Sequence, residues 1–296
     1  MKEKPFSKYQ ILANAVMIIW TLAIILPFIL LFMSSITDEN TLVANGYSFF
    51  PKKFSLASYS YIIKSGGQIL KAYGVSIGVT VVGTLLNVLL SALMAYPLSV
   101  KNLPGRNVMM FFVFFTMLFN GGIVPSYIMW TGTFHIKDTI FAQLLPNFLL
   151  SAWNVMMIRT YFTTSIPDGL YEAAEIDGAS QFTIFWKIVL PLGYPILVTM
   201  GTFAGLAYWN DWTNGLYYIV KNTGLYNVQN LLNQMVQNIQ FLTQSSNSNV
   251  TAAASTIPAT GIQMAIAFVA ILPIMLIFPS FQKYYAKGIA LGAVKG

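Results

Sequence analysis

Long charge-free apolar runs alternate along the chain with polar connections, and six of the runs stand out: roughly 11 to 33, 74 to 98, 108 to 130, 140 to 158, 191 to 211 and 261 to 280. Each is long enough for an α-helix, rising ~1.5 Å per residue, to cross ~30 Å of hydrocarbon. They are apolar on every face, whereas barrel strands alternate polar and apolar positions over about ten residues. The pattern predicts an all-α membrane protein with six transmembrane helices, read as a single transmembrane domain over residues 1–296.

The connections set the orientation. With the first helix starting inside, the inner connections are 1 to 10, 99 to 107, 159 to 190 and 281 to 296, and they hold ten of the sixteen Lys and Arg. The outer connections, 34 to 73, 131 to 139 and 212 to 260, are longer in total yet hold only six. Positive charge favours the cytoplasmic side, so both termini are predicted to be cytoplasmic. Lys2, Lys4 and Lys8 ahead of the first run resemble the start of a signal peptide. No small-residue cleavage site follows, however, and the run is expected to remain as an anchor helix.

Composition narrows the function classes. Only 8% of the residues are charged, against roughly 25% in soluble domains, which argues against a soluble enzyme. The absence of cysteine excludes disulfides and thiolate sites, and a single histidine, His135, leaves no partner for a His-based metal site. The net charge of +7 comes from singly scattered bases, which suits anionic lipid rather than nucleic acid. There is no GxxxxGK[ST] phosphate loop, so the chain has no ATP site of that type. Among the six runs, ionisable groups are confined to Asp211 at the outer end of the fifth, which disfavours an ion-coupled carrier. No paired carboxylates or Ser-His-Asp set suggest hydrolysis. Two GxxxG pairs, Gly74/Gly78 and Gly201/Gly205, allow close helix approach and are read first as ordinary packing.

Four of the nine acidic residues fall within ten positions: Asp168, Glu172, Glu175 and Asp177. Ser165 and Asp168 have capping-box spacing, and Pro167 suits a first helical turn. Asp168 and Glu172 would lie near the positive end of the helix, and Gly178 is placed to end it. A second helix start at Ser180 leads into the fifth run at Pro191. The expectation is helix, sharp turn, helix on the cytoplasmic side. Ala173, Ala174 and Gly178 would form a small-residue face for a groove on another protein, with Glu172 and Glu175 available to basic groups on its rim.

Glu172-Ala173-Ala174, then Gly178, then Ile188 and Leu190-Pro191, resemble the EAA loop of ATP-binding-cassette importer permeases. The string Ile176-Asp177-Gly178-Ala179 resembles the carbohydrate-uptake branch. Asn120 to Tyr127, Trp209-Asn210-Asp211-Trp212 and the end from Gln282 to Gly296 are similar to the complex-polysaccharide type, related to alginate and pectin-fragment importers. The resemblance covers most of the chain. It implies a MetI-like type I importer permease fold in a bacterial cytoplasmic membrane, with a coupling helix between spans four and five. It also implies a second homologous permease subunit, two ATPase subunits that use ATP and Mg, and an extracellular solute-binding lipoprotein. No cofactor is expected on this chain. Asp168, Glu172, Ala173, Ala174, Glu175, Asp177 and Gly178 become the ATPase-coupling segment, and the cargo becomes oligosaccharides or polysaccharide fragments.

A sugar path should mix aromatic platforms with amides and hydroxyls. The outer end of the fifth run supplies Tyr208, Trp209, Asn210, Asp211, Trp212 and Asn214, and the third run adds Asn120 and Tyr127. An interfacial aromatic belt explains the same Trp and Tyr. Asn87, Gln143, Asn147 and Asn154 are read as helix-joining amides before substrate contacts. Asn120-Gly121-Gly122 predicts a break in the third run, facing a cavity. The charge-free polar segment 229–257 is read as a mobile outer loop or a contact for the binding protein. Lys283, Lys287 and Lys295 in the tail fit either the ATPases or the membrane surface. A mono- or disaccharide permease, a non-transporting sensor subunit and an ion-coupled carrier stand as alternatives.

Overall fold

The structure, a computed structural model, describes residues 8–64, 66–244 and 259–293. Its α-helices are, in chain order, α1 (Lys8–Ser35), α2 (Glu39–Asn45), α3 (Ala57–Lys64), α4 (Gly66–Ser99), α5 (Arg106–Leu118), α6 (Ile123–Ile128), α7 (Phe141–Leu144), α8 (Ala152–Ser165), α9 (Asp168–Ile176), α10 (Gln181–Ile184), α11 (Leu190–Leu192), α12 (Tyr194–Asn210), α13 (Thr213–Tyr218), α14 (Val228–Gln244) and α15 (Ala259–Ala293). The described residues contain no strand beyond an isolated bridge between Thr37 and Phe54. The all-helical expectation holds.

Among the described residues, three helical stretches are continuous and apolar enough to cross a membrane: Lys8–Ser35, Gly67–Ser99 and Thr260–Ile277. Two further candidates are bent. Arg106–Leu118 and Ile123–Thr133 meet at 109°, and Gln181–Leu192 and Tyr194–Asn210 meet at 78°. The first bend is the break predicted at Asn120-Gly121-Gly122: Gly122 takes φ +86°, a left-handed backbone that favours glycine, and its N–H donates to Asn120 Oδ1 at 2.8 Å. At the second, a Cβ on Gly193 would overlap the Phe162 ring and the Val189 carbonyl, so only glycine permits that approach.

The stretch expected as a fourth span, 140 to 158, is not one helix. α7 stops at Leu144, Asn147 sits at φ +67°, and α8 begins only at Ala152 and runs on to Ser165. Pro146 has no N–H with which to continue a helix, and asparagine tolerates the left-handed region better than most residues. The carbonyls freed by this break are satisfied by side chains. Asn214 Nδ2 donates to Pro146 O at 3.1 Å and Asn87 Nδ2 to Phe148 O at 2.6 Å, as unwound backbone in an apolar setting requires.

The chain divides into two units. The first comprises residues 1–69 and 232–273. Within it, residues 8–29 of α1 are exposed on all sides, so this helix meets few neighbours of its own until it reaches Ser34 and Ser35. Ser35 Oγ and the Tyr59 hydroxyl lie 2.8 Å apart, and the Phe32 and Phe268 rings are 4.9 Å apart. Glu39 accepts hydrogen bonds from the N–H groups of Thr260 and Gly261 at 2.9 and 2.8 Å, placing a carboxylate on the positive end of α15.

The second unit comprises residues 70–231 and 274–296. Its core packs α4, α5, α8 and α12 through Ala92, Ala95, Val113, Val155, Ile158, Phe162, Ile196 and Met200. Gly201 and Gly205 lie against Thr84, Val88 and Thr80 of α4, so this GxxxG pair serves packing inside the chain. Around Gly74 and Gly78, by contrast, the space where a side chain would stand is open. Asn154 Nδ2 donates to Asn87 Oδ1 at 2.7 Å and ties α8 to α4. The outer segment expected over 229–257 is helical to Gln244; its remainder lies outside the described residues, as does Lys295.

Candidate functional site

The acidic segment folds as helix, turn, helix. α9 ends in the Schellman pattern: the Ala179 N–H donates to Ala174 O at 2.9 Å, and the Gly178 N–H to Glu175 O at 3.0 Å. Gly178 takes φ +76° with open space around it, so glycine is needed here for its backbone and not for room. Ser180 then caps α10, its hydroxyl accepting the Thr183 N–H at 3.2 Å. The proposed capping box does not form. Ser165 is the last residue of α8, Ile166 is extended and buried, and the position before α9 falls on Pro167, which offers no side-chain acceptor. Asp168 instead pairs with Lys101, in the connection after α4.

Two further links hold the loop to α4. Tyr96 donates to Gln181 Oε1 at 2.6 Å, and Gln181 Nε2 donates to Glu175 Oε1 at 2.9 Å, forming a relay from α4 to the end of α9. The Tyr171 ring stacks near Tyr96 at 6.5 Å, and burial pushes its phenol up to about 12. The two alanines part company: Ala174 is buried in the core, while Ala173 lies exposed with Glu172, Glu175, Asp177 and Gly178.

The accessible face is more apolar than the motif suggests. Ile176 is 86% exposed and Phe182 67%, with Trp186 also exposed. Ile176 lies four residues after Glu172 and three after Ala173, so the three share a helical face. An isoleucine on the acidic, solvent side of a short amphipathic helix was the signal that could have singled it out from sequence.

The residues expected at the outer side behave differently. Tyr208 is buried, its hydroxyl donating to Leu144 O at 2.9 Å and its ring filling the space beside Gly83. Trp209 is buried, with its ring 6.3 Å from Tyr73. Asp211 follows the last residue of α12, and its Oδ1 accepts the N–H and hydroxyl of Thr213 at 3.0 and 2.7 Å and the Asn214 N–H at 3.3 Å. Asn214 is fully buried. Asn227 Nδ2 donates to Asp211 O at 2.7 Å, Asn230 to Trp212 O, and Gln143 Nε2 to Asn230 Oδ1 at 3.1 Å. These amides satisfy the backbone where α12 breaks into α13, which is what backbone leaving a helix in an apolar surrounding demands. Asn210, Trp212 and Asn120 are exposed. Tyr127 is half-buried, stacked on Tyr218 at 5.8 Å, and its hydroxyl accepts from Lys137 at 3.2 Å.

Residues 72–291 match the family described as the binding-protein-dependent transport system inner membrane component. The chain belongs to this family. It is therefore a permease subunit of an ABC transporter, and ATP hydrolysis falls to separate ATPase subunits. Among similar proteins, Bacillus subtilis LplC is 36% identical over 92% of this chain and 90% of the relative. The polygalacturonan/rhamnogalacturonan transport system permease protein YtcP of the same organism is 36% identical, covering 97% and 98%. A crystal structure of a bacterial ABC transporter involved in import of the acidic polysaccharide alginate contains a chain similar at 25% identity. Its TM-score is 0.79, with 96% of this permease and 100% of that chain covered.

Proposed function

We propose that this permease imports oligosaccharides or polysaccharide fragments across the cytoplasmic membrane by alternating access. Residues 1–296 act as one permease domain with six spans and cytoplasmic termini, the fourth span built from broken α7 and continuous α8. The partners are a second permease subunit, two ATPase subunits and an extracellular solute-binding protein. The cargo reading rests on relatives that handle polygalacturonan and alginate.

The observation that carries the mechanism is the bracing of the acidic loop. Glu172, Ala173 and Ile176 of α9 face outward, while Tyr171, Glu175 and Gln181 anchor the same loop to α4 and Asp168 anchors it to Lys101 in the connection that follows. An ATPase cleft that closes on α9 displaces α4 with it, because a hydrogen-bond relay and a packed ring pair join the loop to α4 and an ion pair joins it to the connection after α4. Docking uses Glu172, Ala173 and Ile176 with Asp177 and Gly178, while Asp168, Ala174 and Glu175 hold the helix in place. At the outer side, Asn120, Tyr127, Asn210 and Trp212 line the path, and Tyr208, Trp209, Asp211 and Asn214 support them from behind.

The test is reconstitution with the partner subunits in vesicles. Galacturonan or alginate oligomers are expected to enter on ATP addition and to exceed mono- and disaccharides. Gly178→Asp with Glu172→Lys should strip the ATPase from the purified complex. Preference for monosaccharides would move the cargo to small sugars, and retention of the ATPase by the variant would remove α9 as the coupling element.

A further inference from the structure

We propose that Lys137 is a specificity-determining residue for acidic sugars: its ammonium, held over an aromatic platform, binds the carboxylate of a uronate unit while the rings take the apolar face of the sugar. The inference rests on the proposed oligosaccharide cargo and deepens it, by naming the group that reads the charge of that cargo.

The platform is fixed by the core. Tyr127 in α6 stacks on Tyr218 in α13, with ring centroids 5.8 Å apart and planes inclined by 13°. The helical turn that continues α6 through Met129–Thr133 carries Trp130, whose ring lies 5.1 Å from that of Phe134. Tyr127 and Trp130 both pack on the buried cluster that contains Ile136, Tyr218 and Ile219. The two rings are nevertheless only half-buried, and Phe134 is 56% exposed. Ring faces left open beside polar groups are the surface that the C–H side of a sugar ring packs against.

The cation is fixed on that platform. Lys137 is exposed, and its Nζ donates to the Tyr127 hydroxyl at 3.2 Å and stands 5.9 Å from the centre of the ring. The turn that carries it is strained: His135 and Asp138, near it on either side, take φ +51° and +59°, the left-handed region that few residues other than glycine adopt. Hydrogen bonds pin the turn in that shape. The Ile136 N–H donates to Trp130 O at 3.2 Å, the Asp138 N–H donates to Tyr218 O at 3.0 Å, and Asp138 Oδ1 accepts the N–H groups of Val220, Lys221 and Asn222. The ion pairs among the described residues, Lys53–Asp38 and Lys101–Asp168, do not involve Lys137. An ammonium has three donors, and Tyr127 takes one. A carboxylate on the sugar supplies charged acceptors for the others, roughly twice as strong as the neutral oxygens of an uncharged sugar.

The test reconstitutes the full transporter with its solute-binding protein in vesicles and measures ATP-driven uptake of trigalacturonate and of its methyl ester, which has the same rings without the charge. The binding protein is common to every measurement, so the ratio of acid to ester uptake in a variant, divided by that of the wild type, reports on this permease. Lys137→Met is expected to lower the ratio roughly fivefold, the upper scale of an exposed ion pair, with ester uptake kept. Lys137→Arg should retain most of the ratio, and Tyr127→Phe, which keeps the ring but removes the hydroxyl that holds the ammonium, should lose a smaller part of it. Lys221→Gln removes the same charge from a neighbouring connection, keeps its backbone N–H and should leave the ratio unchanged. In the unmodified transporter the acid, and not the ester, should shield Lys137 from an amine-reactive reagent, read by mass spectrometry, and this decides the matter even if Lys137→Met fails to assemble. An unmoved ratio, equal shielding by the two sugars, or an equal fall in Lys221→Gln overturns the site, leaving the rings as an interfacial belt and the charge as a diffuse field. Uptake of both sugars alongside any of those results keeps the oligosaccharide reading, whereas uptake of neither overturns that reading and the site with it.

Discussion

The acidic loop at 165–191 and the aromatic, amide-rich segment at 208–214 are both polar islands in an apolar chain, yet they spend their side chains in opposite ways. In the loop, Glu172, Asp177 and Ile176 remain exposed, because the Schellman turn closes the end of α9 and the Ser180 cap opens the next helix without using them. In the aromatic segment, Tyr208, Asp211 and Asn214 are buried, and the Tyr208 hydroxyl, Asp211 Oδ1 and the Asn214 amide serve carbonyls and N–H groups left by broken helices. A short helix ended by its own backbone turn can present its side chains outward. A break within an apolar layer must consume them.

The sharpest way to break this contrast is Ile176→Asp. The substitution leaves the fold intact, since the side chain touches solvent, and is expected to cost roughly 30-fold in substrate-stimulated ATP hydrolysis by the assembled transporter, the scale of an interface hot spot. Unchanged hydrolysis at equal complex yield would mean that the exposed face of α9 is only a solvated surface.

The matching change at the outer end is Gly83→Val. Its side chain would enter the volume of the Tyr208 ring, and overpacking of this kind costs about 2 kcal/mol. Lower thermal stability of the purified subunit is the expected result, relieved by Tyr208→Leu, which removes the ring, and not by Tyr208→Phe, which keeps the ring carbons that the new side chain meets. If stability holds while cargo selectivity changes, Tyr208 touches substrate and the contrast fails. A smaller loss is expected for Asp211→Ala, about 1 kcal/mol, because Thr213 and Asn214 lose the acceptor that starts α13. Asp211→Asn keeps an acceptor oxygen and should lie nearer the wild type, measured by the same thermal unfolding.

How much of this was legible in sequence follows the same division. The loop could be read because its signals are local: Gly178 needs only its own φ, and Ser180 caps α10 through the N–H three residues on. Ser165 misled because α8 continues through it, and helix ends decided by tertiary packing are poorly marked. The fourth span was read from hydropathy alone, which registers apolar content and not the backbone break at Pro146 and Asn147. The outer segment was unreadable for another reason. Whether Asn214 faces a sugar or the Pro146 carbonyl depends on residues far apart in the chain, and composition is the same in either case.

Asp138, in the connection ahead of α7, offers the mildest test and extends the contrast to a fourth acid. Its Oδ1 accepts the N–H groups of Lys221 and Val220 at 2.7 Å each and Asn222 at 3.2 Å, and these bonds, that from Lys221 first, hold its pKa below the ordinary carboxylate value. A depressed folded pKa means that the stabilisation is fully present above the unfolded value of about 4 and fades as pH falls through the folded one. Thermal unfolding of the wild type should therefore decline more steeply below about pH 4 than that of Asp138→Asn, which starts lower at neutral pH and converges with it in acid. Parallel curves across that range would mean that the exposed loop at 220–222 keeps its shape without the carboxylate, and that an acid of this chain outside α9 is as free as Glu172.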